Sequence, residues 1–196
     1  MPLPAYAELH CRSNFSFLSG ASHPEELVAR AAQLGYAALA ITDECSLAGV
    51  VRAHVEARRV GLHLIVGTEL QLAQPADKGR APAEPGPRLV LLAQSRRGYG
   101  NLAQWITVAR RRAPKGEYLA HPSDVEGRVP HAPYLAGLPG CIALLLPDAA
   151  QPFETVFAHA MWLKTWFGAQ RAFIAAELLL RAHDAELADT VQRAAK

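Results

Sequence analysis

Six short apolar runs, at about 6–11, 37–43, 63–72, 88–94, 141–146 and 172–179, constrain this chain more than any other feature. Each is too short for a helix that must bury itself alone, and each is bounded by turn residues or by a segment of helical period. The clearest such segment places Leu27, Val28, Ala31, Ala32 and Leu34 on one face. Ser22 with Glu25 forms a capping box before it, Pro24 suits its first turn, and Gly35 ends it. Further helices are expected at about 47–60, stopping at Gly61, at about 98–112, at about 153–167, stopping at Gly168, and from near His183. Strands alternating with helices mean β/α units and a mainly parallel sheet, so the fold class is α/β.

Two segments interrupt the rhythm. Residues 74–87 hold four prolines and two glycines, which predicts a helix-free surface loop joining the third and fourth strands as a hairpin or by an irregular crossover. Residues 113–139, again rich in Pro, Gly and His, predict an ordered but irregular connection. With 51% hydrophobic residues in 196, the chain can bury the core of one domain spanning 1–196. A net charge of +2 excludes an overall basic field, so any nucleic-acid contact must be local. No apolar run approaches the roughly 18 residues of a membrane span. Three separated cysteines, Cys11, Cys45 and Cys141, and a start without the charged and apolar regions of a secretory signal lead to the expectation of a reducing cytoplasm.

In α/β sheets, ligands bind beyond the carboxyl ends of the strands. A period of two puts Glu8, His10 and Arg12 on one face of the first strand and Ala7, Leu9 and Cys11 on the other. The second strand ends in Asp43 and Glu44, and the third carries Glu69 just after Gly67. The fourth ends in Gln94 and Ser95 and the fifth in Leu146 and Pro147, none a strong ligand. His10, Asp43, Glu44 and Glu69 together offer an imidazole and carboxylates suited to Zn²⁺ or Mn²⁺. The same residues also suit ordinary, internally satisfied polar groups, and spacing alone does not separate the two readings. Arg110, Arg111, Arg112 and Lys115 end a helix, where cations favour the dipole and water, or else meet a nucleic-acid backbone. Phe157, Trp162, Trp166 and Phe167 have the spacing of wall packing rather than of a base-stacking surface. His54, His63, His121, His131, His159 and His183 read as surface or local structural residues.

The stretches "YAELHCRSNFSFLSGASHPEELVARAAQLGYAALAITDECSLAGVVRAHVEA", "LIVGTELQL", "RLVLLAQSRRGYGNLAQWITVARRRAPKGEY" and "CIALLLP" resemble, in that order, the N-terminal PHP (polymerase and histidinol phosphatase) domain of bacterial C-family DNA polymerases, nearest to their error-prone branch. The resemblance implies a PHP-type distorted (β/α)7 TIM-like barrel, incomplete at the C-terminus, since the family's last Asp-x-His would lie past Lys196. The family ends its first strand in His-x-His, its second in Asp-His and its third in Gly-x-Glu. Here His10, Asp43 and Glu69 match, Arg12 and Glu44 each replace a His, and Ser19 replaces an acidic residue. Read as a surviving metal site, the ligands would be His10, Glu44 and Glu69. Arginine, however, has no lone pair to give a metal. It can replace the metal's charge, so His10, Arg12, Asp43, Glu44 and Glu69 are expected as a degenerate, ion-paired cluster with no catalytic residue.

By the same resemblance the parent enzyme is a DNA polymerase of damage-induced mutagenesis and translesion synthesis, using Mg²⁺ on palm aspartates absent from this chain. Its partners are the rest of the polymerase chain, DNA, a sliding clamp and accessory mutagenesis proteins, with no membrane. The alternatives are a stand-alone metal-dependent phosphoesterase of the PHP family and a non-enzymatic interaction module.

Overall fold

The computed structural model describes residues 5–73 and 86–196. All six expected strands are present: β1 (Ala7–Glu8), β2 (Ala38–Ile41), β3 (His63–Gln71), β4 (Arg88–Ala93), β5 (Cys141–Leu145) and β6 (Ala172–Ile174). They form one sheet in chain order, curled into a half-barrel whose edges are β1 and β6. The helices are α1 (Pro24–Gln33), α2 (Val50–Val60), α3 (Arg96–Arg111), α4 (Pro122–Val125), α5 (Phe153–Phe167) and α6 (Asp184–Ala194), with a 3-10 turn at Pro133–Leu135.

The sheet is less uniformly parallel than the pattern of runs suggested. β1, β2 and β3 pair in parallel, but β4 is antiparallel to both β3 and β5, and β6 is parallel to β5. The third and fourth strands thus pair in the manner of a hairpin. Residues 74–85 of the proline-rich loop lie outside the described residues. The first helix starts one residue later than Ser22 and Glu25 predicted. Pro24 occupies its first turn, the His23 N–H donates to the Glu26 carboxylate, and the Ser22 carbonyl instead accepts the Asn14 N–H.

Alternation along the strands divides the core. Leu39 and Ile41 pack outward with Val28, Ala31, Ala53 and Ala57 of α1 and α2. Leu89 and Leu91 pack outward with Leu102 and Trp105 of α3 and Leu163 of α5. Ala40, Val90, Leu92 and Leu144 line the concave face. That face bounds a cavity of about 1070 Å³ opening between β1 and β6, with Leu9, Ile65, Ile142 and Phe173 in its wall. Trp162, Trp166 and Phe167 pack into the outer core, whereas Phe157 is exposed.

The irregular connection is ordered by two polar hubs, one buried and one half-buried. Asp124 accepts from Trp105 Nε1 at 2.9 Å, from Arg112 at 2.8 Å and from the His121 N–H at 3.0 Å. Burial opposes ionisation of Asp124, but those donors outweigh it and hold the carboxyl below its ordinary pKa. Arg171 donates to the carbonyls of Gly137, Leu138 and Cys141.

α2 stops where expected, because Gly61 adopts φ 74°, a left-handed cap that a Cβ disfavours. Gly61→Ala meets no neighbouring atom, so its cost is purely conformational. It should lower unfolding stability by about 1 kcal/mol in urea titration, with no change in the slope.

Candidate site at the mouth of the half-barrel

Just beyond the carboxyl end of β1, Arg12 lays its guanidinium fork on Glu69, among the last residues of β3. Nε meets Oε2 at 2.7 Å and Nη2 meets Oε1 at 2.5 Å. His10 meets the same Glu69 Oε2 through Nε2 at 2.6 Å and Glu177 Oε1 through Nδ1 at 2.5 Å. Glu177 also accepts from Arg88 Nη2 at 2.9 Å, and Arg88 Nη1 stands 3.9 Å from Glu69. Three cationic side chains therefore surround two carboxylates, of which Glu69 is only 3% exposed.

The protonation states follow from this geometry. Both ring nitrogens of His10 face carboxylate oxygens, so both carry protons and the ring is an imidazolium. Burial pulls its pKa down, but hydrogen bonds and charges from Glu177 and Glu69 more than reverse that and raise it to about 9. The hydrogen bond from His10 brings Glu177 down to about 2, with Arg88 assisting against burial. Burial disfavours the Glu69 charge too, yet His10 and Arg12 keep its pKa below the usual carboxylate range.

A stability profile follows. The raised His10 stabilises the fold fully below pH 6.5 and loses that contribution as pH rises through about 9. The lowered Glu177 stabilises it above pH 4.5 and loses that contribution as pH falls toward about 2. Urea midpoints should therefore be highest between about pH 4.5 and 6.5 and decline on both sides. Glu177→Gln should flatten both flanks, and a wild-type midpoint rising steadily from pH 6 to 9 would contradict the network.

The backbones of Asp43 and Glu44 pair with that of Glu69, but their side chains turn to other partners. Asp43, 1% exposed, accepts from the Ser13 N–H, the Ser13 hydroxyl and the Ser16 hydroxyl, each at 2.7 Å. Glu44 accepts the Tyr118 hydroxyl at 2.9 Å. Burial and the Glu44 charge push the Tyr118 hydroxyl pKa upward. The guanidinium of Arg110 donates to the Glu44, Cys45, Gly116 and Glu117 carbonyls, and Arg112 holds Asp124, so both are engaged within the protein; Arg111 and Lys115 are exposed. Cys11 packs toward α1 and α2, and burial raises its thiol pKa to about 11.

Two members of the cluster escaped sequence reasoning. Because β4 runs antiparallel, its amino end reaches the mouth and supplies Arg88, while Gln94 and Ser95 lie at the opposite end, where Ser95 caps α3. The hairpin alternative for the 74–87 loop, carried through to the site, exchanges those two ends. Glu177 lies past the end of β6, which stops at Ile174 rather than continuing to 179. A strand ending there would have brought it forward as a rim residue.

Comparison with known proteins sets this geometry in a family. A profile of the PHP domain matches residues 8–175. The chain belongs to the PHP domain family. Error-prone DNA polymerases share it: that of Bordetella parapertussis is 55% identical over 172 residues, covering 85% of this chain and 16% of the polymerase. That of Ralstonia nicotianae is 50% identical over 182 residues, covering 93% and 16%. The chain thus spans about a sixth of the length of these relatives. Among solved structures, an amidohydrolase from Chromobacterium violaceum with bound sulfate and no metal superimposes with TM-score 0.62 at 16% identity, covering 96% of this chain and 84% of that one. A protein assigned as a metal-dependent phosphoesterase from Bifidobacterium adolescentis gives 0.58 at 14%, covering 99% and 85%. At such identities the likeness establishes the PHP-type fold alone.

Phosphoesterase relatives of this fold raise the question of a metal, and the residues of this PHP domain do not fit one. Both oxygens of Glu69 are taken by the Arg12 fork, and neither nitrogen of the His10 imidazolium has a free lone pair. Glu44 is turned to Tyr118. The set His10, Glu44 and Glu69 is therefore not assembled, and among the described residues no three His, Cys, Asp or Glu side chains are arranged to hold a metal ion. Nor is any helix among them long and apolar enough to cross a membrane.

Proposed function

We propose that this chain is the PHP portion of an error-prone DNA polymerase, in which the mouth of the half-barrel is a structural ion-pair cluster and not a hydrolytic centre. The observation that carries this reading is the Arg12 fork on Glu69, which seats a fixed organic cation on the carboxylate beside His10. An ion pair of this kind can order β1, β3, β4 and the segment after β6 against one another. It offers no open coordination position, and its two ionised carboxylates are engaged by cations rather than free to take a proton from water.

On this reading nucleotide addition, with its Mg²⁺, belongs to the remainder of a longer chain. Translesion synthesis after DNA damage, a cytoplasmic location, and contact with DNA, a sliding clamp and accessory mutagenesis proteins belong to that whole enzyme. Any contact of the α3 end with a nucleic-acid backbone falls to the exposed Arg111 and Lys115, since Arg110 and Arg112 are engaged within the protein. The stand-alone phosphoesterase finds support in a fold likeness at 14% identity.

The test uses the full-length chain read through Lys196. Primer extension, with no tightly held Zn²⁺ or Mn²⁺ assigned to this domain after metal loading and dialysis, is the expected result. One equivalent of metal lost on Glu69→Gln, together with phosphate release from model esters, would replace the scaffold by a hydrolase.

A further inference from the structure

We infer that the outer face of α3 is a track for the sugar-phosphate backbone of a nucleic acid, an inference that rests on the polymerase reading above and gives it a contact surface within the PHP domain. Residues 94–116 hold six of the chain's 20 Lys and Arg residues and none of its 18 Asp and Glu. Arg110 and Arg112 are engaged internally, whereas the side chains of Arg96, Arg97, Arg111 and Lys115 make no ion pair or hydrogen bond among the described residues. On α2 the pattern is the opposite: Arg52 pairs with Glu25 and Arg59 with Glu56.

Solvation and the helix dipole do not account for the cations of α3. The dipole rewards Arg111 in the last turn, but Arg96 and Arg97 are the first two residues of the helix, where its positive end repels them and no acidic residue offsets the repulsion. The same helix carries a second locally unfavourable choice. Gly98 has a packing reason, since a Cβ there would stand 2.0 Å from the Gly140 carbonyl oxygen. Gly100 has none: it is exposed inside the helix, and a Cβ would meet nothing within 4 Å. Its helical cost is offset by no contact within the domain. Local choices that the fold leaves unrewarded gather at functional surfaces.

The geometry selects the occupant. Arg96, Gly100, Thr107 and Arg111, all exposed, fall within a stripe about 60° wide, and Arg97 flanks it. Its end cations lie about 22 Å apart along the axis, the rise of roughly six phosphates of one B-form strand. Between them Gly100 and Thr107 leave a low floor on which a backbone can lie close. The stripe holds no large apolar side chain, the anchor that a protein partner needs. α3 packs on β4, in the middle of the six-strand sheet, so this face looks outward and away from the open edges at β1 and β6.

The test uses the full-length chain and a fluorescent primer-template, with anisotropy titrations across a range of NaCl concentrations. Arg96→Gln/Arg97→Gln and Arg111→Gln/Lys115→Gln, all at exposed positions, report on the track; Arg30→Gln/Arg58→Gln removes equal charge from α1 and α2. Each α3 pair should weaken binding at least about fivefold and lower the slope of log K against log salt by about 1 to 2, alike on two unrelated DNA sequences. Gly100→Glu, for which the free protein has room, should weaken binding about as much. Unchanged affinity and slope in a chain that extends primers would overturn the track and leave the polymerase reading intact, and a changed oligomeric mass in the same variants would give the face to a second copy. Equal losses in the α1–α2 pair would reduce the effect to overall charge and overturn the track as well. A lowered slope confined to the α3 pairs, in a chain that does not extend primers, would keep the track and strike the polymerase reading.

Discussion

Glu69→Gln lowers the unfolding free energy by about 3 kcal/mol, measured by urea denaturation near pH 6, because it leaves two desolvated cations facing a neutral amide. The carboxylate accepts three short bonds, two from Arg12 and one from His10, at a position almost without solvent access. A glutamine keeps the volume but presents one acceptor and an NH₂ group that points at N–H donors. Arg12→Met alone removes one cation and leaves His10 on Glu69, so it should cost less. In the double variant the loss should fall short of the sum by more than about 1 kcal/mol, the sign that the two side chains act as a unit. A Glu69→Gln protein within about 0.5 kcal/mol of wild type would show that the cluster does not hold the mouth together.

Asp43→Ala should be as costly, by about 3 kcal/mol, for a different reason. No ion pair is lost; instead the Ser13 N–H and the hydroxyls of Ser13 and Ser16 lose their acceptor inside a region that excludes water. The turn from 13 to 20 should open as a unit. Its amides donate in sequence, Asn14 to the Ser22 carbonyl, Ser16 to Ser13 and Gly20 to Ser16, and all three should exchange with deuterium far faster than in wild type. Amides of β4 and β5 should keep their protection. Asp43→Asn, which retains one acceptor oxygen, should fall between the two. Unchanged exchange at Asn14 and Gly20 in Asp43→Ala would mean that the turn is held by something other than this carboxylate.

Between them the two variants separate tasks that the family pattern treats as one. Glu69 joins strands across the mouth, and Asp43 shapes the turn that leaves β1. On the proposed reading both serve structure.

The succession of the six strands and the main helices, the stop of α2 at Gly61 and of α5 at Gly168, and the inability of Arg12 to ligate a metal are legible from the residues alone. Each of these depends on neighbours within a few positions or on the chemistry of one side chain, so period, cap and functional group suffice to read them. The direction of β4 was decided by tertiary structure, and with it the exchange of Gln94 and Ser95 for Arg88 at the mouth. So was the arrival of Glu177 at His10 from 167 positions away, and the diversion of Asp43 to two serines. A hydrogen bond between distant residues requires strand direction, register and loop path to agree at once, and that agreement leaves no periodic trace along the chain.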